Sequence, residues 1–210
     1  MAIKRPEAID SEIILDPEKT ILSKTNKKGI ILYVNDYFVE ICGYSVGDLM
    51  GKPHNIIRHP DMPKVVFELL WQRILNKKNI HAVVKNLAKD GRYYWVVTDF
   101  TVDVNPETGN IVSLYAHRKA APRHIIEQVE KVYKNLLEIE KSSGFAASLR
   151  YFVGYLDEKE MDYDQWIASL AMEAPVEVKK KGFFAKIFSG GDTNSEGGFF
   201  AKYFSNKDNA

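Results

Sequence analysis

The feature that most limits the fold is a change of hydrophobic period at Asn79. Before it, Val65, Val66, Leu69, Leu70 and Ile74 recur at three- and four-residue spacing, the stripe of an amphipathic helix. After it the period falls to two across Ile80–Leu87, Tyr93–Val104 and residues 111–118. Asp90-Gly91 and the run Asn105-Pro106-Glu107-Thr108-Gly109 supply the turns between these three strands. Upstream, two short β-prone runs at 20–24 and 30–34 flank the turn Asn26-Lys27-Lys28-Gly29. Asn35 is a helix-start residue before a short helix at 36–42, which Gly43 stops. This order predicts an α+β fold: a five-stranded antiparallel sheet with short helices gathered on one face. Such a sheet can hold a pocket between its concave side and the short helices.

The connector from Ser45 to Pro63 carries the densest chemistry. Pro53, Pro60 and Pro63 stiffen it, since each proline fixes its own φ and restricts the residue before it. It presents His54, Arg58, His59 and Asp61. Arg58 offers a planar fork for a phosphate or carboxylate, and Asp61 stands where the next helix has unsatisfied N–H groups. Taken singly, each also has an ordinary reading: an N-cap for Asp61, a surface ion pair for Arg58, an idle imidazole for His59. Phe67 and Trp71, one helical turn apart, can either enclose a planar ligand or simply fill the core.

Read together, these residues resemble the FAD-binding PAS domains of the aerotaxis (Aer) receptors. The resemblance rests on Asn35-Asp36-Tyr37-Phe38, Gly43-Tyr44-Ser45, Gly51-Lys52-Pro53-His54-Asn55 and Arg58-His59-Pro60-Asp61-Met62-Pro63-Lys64. Phe67, Trp71, Val84-Lys85-Asn86, Gly91 and Tyr94-Trp95-Val96 extend it, over residues 20 to 141. It implies a PAS fold and a non-covalent FAD, with Asn35, His54, Arg58, His59, Asp61, Phe67, Trp71, Asn86 and Tyr94 around the cofactor. Haem is the competing cofactor, with His54, His59, His81 and His117 as candidate axial ligands. A third reading is a PAS module without cofactor that serves only as an interaction domain.

The sequence carries no Walker A loop, kinase ATP motif or nucleophile–base pair, so the expectation is a sensor and not an enzyme. The resemblance is to the separate PAS component of bipartite energy-taxis systems (CetB-like), which implies a membrane-bound HAMP-containing chemoreceptor as partner. A formal charge of +1 gives no general case for nucleic-acid binding. With no apolar run near the roughly 20 residues that span a bilayer, a cytoplasmic location is expected.

Four regions follow: a lead-in at 1–18, the sensor at 19–120, helices at 121–171 and a tail at 172–210. A helix opened by Pro122 carries the apolar stripe Ile125, Ile126, Val129, Val132, Tyr133, Leu136 and Leu137, suited to packing on the sheet, to homodimer formation or to the receptor. The tail repeats Gly-Phe-Phe-Ala-Lys at 182–186 and 198–202, beside lysines, which suits a partner groove or peripheral contact with a membrane.

Overall fold

The computed structural model describes residues 5–172. The duplicated Gly-Phe-Phe-Ala-Lys segments lie outside them. Five strands appear where the turn and period signals put them: β1 (Ile21–Asn26), β2 (Ile31–Val34), β3 (Ile80–Leu87), β4 (Tyr93–Val104) and β5 (Ile111–Ala120). Between β2 and β3 stand α1 (Asp36–Cys42), α2 (Val46–Leu49), a 3-10 turn (His54–Ile57) and α3 (Lys64–Leu75). After β5 come α4 (Arg123–Ser143), α5 (Phe145–Asp157) and α6 (Tyr163–Met172). The sheet is antiparallel throughout, in the order β2-β1-β5-β4-β3.

Register decides what the concave face offers. Ser23 pairs with Ala116, Phe100 with Ala116, and Thr98 with both Arg118 and Ala82. Because side chains alternate across a strand, Ser23, Thr25, Val84, Asn86, Thr98, Phe100, Leu114, Ala116 and Arg118 all point to one side. Residues of the other parity, such as Lys85 and Trp95, face α4, where Glu130 lies 3.9 Å from Lys85 Nζ.

β3 is an edge strand, and its outward main chain is covered by side chains. Asp164 of α6 accepts from the His81 amide at 2.7 Å, and Tyr133 of α4 donates to the Val83 carbonyl at 2.9 Å. The Lys85 amide reaches the Met62 sulfur at 3.2 Å. Tyr133 and Tyr163 share a buried hydroxyl–hydroxyl hydrogen bond of 2.6 Å. Thus α4 and α6 are fastened to the strand that carries Asn86.

The lead-in is fastened too. Ile9 and Ile13 donate main-chain hydrogen bonds to Gly91 and Tyr93, and Glu12 pairs with Arg123. Gly91 sits at φ +91°, where a Cβ would strike the Glu7 carbonyl oxygen. Only glycine lets the strap pass.

Candidate functional site

A cavity of about 390 Å³ lies between the concave sheet face, the 3-10 turn and α3. Its apolar wall comes from α3, where Phe67, Leu70, Trp71 and Ile74 follow the expected helical spacing. The sheet supplies the opposite wall. Gly29, at φ +74° in the β1–β2 turn, lets the main chain pass close to the indole of Trp71; an added Cβ would lie 3.3 Å from that ring.

Five of the nine residues expected around a cofactor line this cavity: His54, Arg58, Phe67, Trp71 and Asn86. The other four do not. Asn35 caps α1, its Oδ1 accepting from the Phe38 and Leu22 amides while its Nδ2 donates to the Thr20 carbonyl. His59 is buried behind the connector, where its Nδ1 accepts from the Asp61 amide and its ring meets the edge of Tyr93. Tyr94 has the pocket parity and pairs with Asn86, yet it lies in the core beyond the cavity lining.

Asp61 also departs from the N-cap role expected of it. The residue before α3 is Pro63 and no side chain of its own segment caps it. Glu140 of α4 instead accepts from the Val65 amide at 3.1 Å. Asp61 pairs with Lys85 at 3.1 Å on the far side of β3. Its place was set by the long-range position of the strand, which no local signal encodes.

Two residues that sequence reasoning passed over matter most. Arg118 is 2% exposed at the inner end of β5, donating to Ser23 Oγ at 3.0 Å, to the Ala116 carbonyl at 3.3 Å and to His54 Nε2 at 2.9 Å. Burial lowers its pKa to about 10, still far above neutrality, so the cavity floor carries a positive charge. That same burial, followed by the charge of Arg118, pushes His54 well below its usual range. His54 is therefore neutral, Nε2 accepts from Arg118, and the ring proton resides on Nδ1. Thr98 is the second: its buried Oγ1 and the Nδ2 of Asn86 have no hydrogen-bond partner among the described residues. Alternation from Leu114 and Ala116 to Arg118 was the signal that could have found the arginine.

Arg58 is held in place. Its guanidinium lies 3.9 Å from the Phe67 ring centroid and Nη2 donates to the Met62 carbonyl at 3.0 Å. The site thus combines an aromatic wall, a buried cation, a neutral imidazole and two buried polar atoms without partners among the described residues. A leftover buried donor costs about 1–3 kcal/mol. A planar heteroaromatic ring with polar edges would meet both needs at once, so the residues present fit a flavin.

Residues 31–116 match the family model described as the PAS fold, and the strand order and helix placement agree with it. Over 122 residues the chain is 36% identical to the aerotaxis receptor of Escherichia coli K12, covering 58% of this chain and 24% of that protein. It is 24% identical over 125 residues to a nitrogen fixation regulatory protein of Klebsiella pneumoniae, covering 60% of this chain and 25% of the relative. The chain therefore spans about a quarter of the length of these curated relatives. Among solved structures, the dark state of the blue-light photoreceptor Aureochrome1 LOV superposes with a TM-score of 0.47 at 18% identity. That superposition covers 57% of this chain and 86% of the other. No helix among the described residues is long and apolar enough to cross a membrane.

Proposed function

We propose that this PAS-fold protein is a redox sensor that binds FAD in the α3–sheet cavity and passes its state to a chemoreceptor partner. The observation that carries the reading is the pairing of two buried polar atoms without a partner among the described residues, Asn86 Nδ2 and Thr98 Oγ1, with an aromatic wall inside one cavity. The relatedness to an aerotaxis receptor supports it.

Within this reading, Trp71 and Phe67 flank the ring system, Asn86 and Thr98 meet its polar edge, and Arg118 favours negative charge at the floor. A bound flavin supplies reversible electron uptake. The protein's own part is to exclude water, hold the Arg118–His54 hydrogen bond and keep the imidazole proton on Nδ1. Asn86 sits on β3, whose outward main chain is held by Tyr133 and Asp164. A change at Asn86 thereby reaches α4 and α6 through one strand, a local electrostatic change acting on a packed element.

Haem fits the cavity less well. His54 is the histidine in the lining, and its Nε2 is already engaged by Arg118. His59 and His81 are buried elsewhere, and His117 has the opposite strand parity to Arg118.

The partner we propose is a membrane-bound HAMP-containing chemoreceptor, with the protein itself cytoplasmic. Absorbance of the purified protein before and after dithionite tests the cofactor: bands of oxidised flavin that bleach on reduction are expected. A Soret band, or colourless protein that takes up no added FAD, would sink the reading. Co-purification with the receptor in oxidised and reduced conditions tests the relay.

A further inference from the structure

The cavity is polarised along its length, and its mouth is basic. Lys28 in the β1–β2 turn and Asn55 in the 3-10 turn line the mouth, and both are exposed. Arg5, from the lead-in, crosses to the same place and donates from Nε to the Asn55 carbonyl at 3.1 Å. Arg58 stands just inside. Burial first and the charge of Arg5 second pull the Arg58 guanidinium down to about 10, with Glu140 acting the other way. Glu140 is itself engaged, accepting from the Val65 amide.

Resting on the flavin reading above, we propose that Arg5, Lys28 and Arg58 form a phosphate-binding rim at the cavity mouth. The site accordingly discriminates phosphorylated flavins from riboflavin. Three features carry this. First, three cations from segments far apart in sequence converge on one opening, whereas the α3 wall behind them is aromatic and aliphatic and the remaining cation, Arg118, is already engaged by Ser23, Ala116 and His54. Second, Arg58 is pre-oriented, its plane fixed on Phe67 and one Nη donor fixed on Met62, so its fork is presented at little entropic cost. Third, a volume of about 390 Å³ has room for a ring system and little more. Pockets for drug-sized ligands span roughly 300–1,000 Å³, so this one stands near the small end. The phosphates of a flavin nucleotide therefore emerge at the mouth, where the cations are.

The lead-in gains a role from this. The strap held by Gly91 and Tyr93 delivers Arg5 to the opening, so residues that look like a polar preamble complete the site.

The test is a titration of the full chain, stripped of endogenous flavin, with riboflavin, FMN and FAD, followed by quenching of flavin fluorescence. Wild type should bind FMN and FAD more tightly than riboflavin, with a preference that falls as salt rises. The double variant Arg5→Gln, Lys28→Gln should lose about tenfold or more in affinity for both nucleotides, the scale of a charge-assisted hydrogen bond. Its riboflavin affinity should stay within about twofold of wild type on the same reasoning. Both positions are exposed, and a circular dichroism melt checks that the variant folds. Equal affinity of wild type for all three flavins, or an equal loss for all three in the variant, would overturn the rim while leaving the flavin site standing. If none of the three binds to wild type, the flavin reading fails and the rim fails with it.

Discussion

Arg118 Nη2 lies 2.9 Å from His54 Nε2, inside a cavity that neither residue shares with solvent to any large extent. A cation donating to an imidazole fixes that imidazole as neutral, and the arrangement makes the fold sensitive to acid.

Stability should fall between pH 6.5 and 4. The folded protein holds His54 neutral, and His59, buried and facing Lys85, is lowered to about 4. The unfolded chain protonates both near 6.5. Below that value the unfolded state binds more protons, so the stabilisation is whole above pH 6.5 and is lost on the way down. For His59 alone the loss amounts to roughly 2 kcal/mol by pH 4.5. Urea unfolding at pH 7 and pH 4.5, for wild type and His59→Gln, checks it: the variant should show the smaller drop.

Thr98→Val should separate stability from ligand retention. The substitution removes a buried hydroxyl that has no partner among the described residues, so the flavin-free protein should gain up to about 1 kcal/mol. Flavin content per chain should drop several-fold. A variant that loses stability and retains full flavin would show that Thr98 serves the core and not the ligand. Asn86→Leu should behave likewise with a larger loss of flavin.

Breaking the cover of β3 should cost more than a surface change. Asp164 is 3% exposed and accepts from the His81 amide, the His81 ring and Arg73, so Asp164→Ala should destabilise by about 3 kcal/mol. Tyr133→Phe removes one buried hydroxyl and should cost about 1–2 kcal/mol. In hydrogen–deuterium exchange, both should raise exchange along residues 81–85. If the relay runs through β3, the difference between oxidised and reduced protein at α4 and α6 should shrink as well; an undiminished difference would place the relay elsewhere.

Gly91→Ala should free the lead-in without unfolding the sensor. The new Cβ meets the Glu7 carbonyl at a φ that alanine adopts only under strain, at about 1–3 kcal/mol. Limited proteolysis should then cut before residue 15 much faster than in wild type, with the sheet still intact by circular dichroism.

Much of the architecture was legible because it is local. Period two fixed Ile80–Leu87 and Tyr93–Val104 to the residue, and Asn35 and Gly43 bounded α1 as their backbone preferences dictate. The spacing of Phe67 and Trp71 put them on one helical face, and the packing of α3 over the sheet is what turns that face to the cavity. What escaped depends on contacts distant in sequence. Asp61 has the chemistry of a helix cap, yet β3 brings Lys85 beside it, and the Val65 amide in the first turn of α3 is met by Glu140, 75 residues on. Arg118 reads as an ordinary strand-end charge until the register of β1 sets Ser23 beside its neighbour Ala116. The strap over Gly91 was invisible for the same reason: nothing in residues 5–15 names its partner.

The side chains laid along β3 also bear on how the protein keeps to itself in a crowded cell. An eight-residue strand reading Ile-His-Ala-Val-Val-Lys-Asn-Leu, buried throughout, is the kind of edge that recruits other strands when bared. Tyr133 and Asp164 occupy its outward hydrogen-bonding groups at Val83 and His81, while Met62 meets Lys85, so α4 and α6 act as a guard against strand-by-strand self-association over most of the strand. Trimming the chain after β5, a natural way to isolate the sensor, would leave that edge open to its own copies. The shortened protein should sediment as aggregate where the full chain stays dispersed.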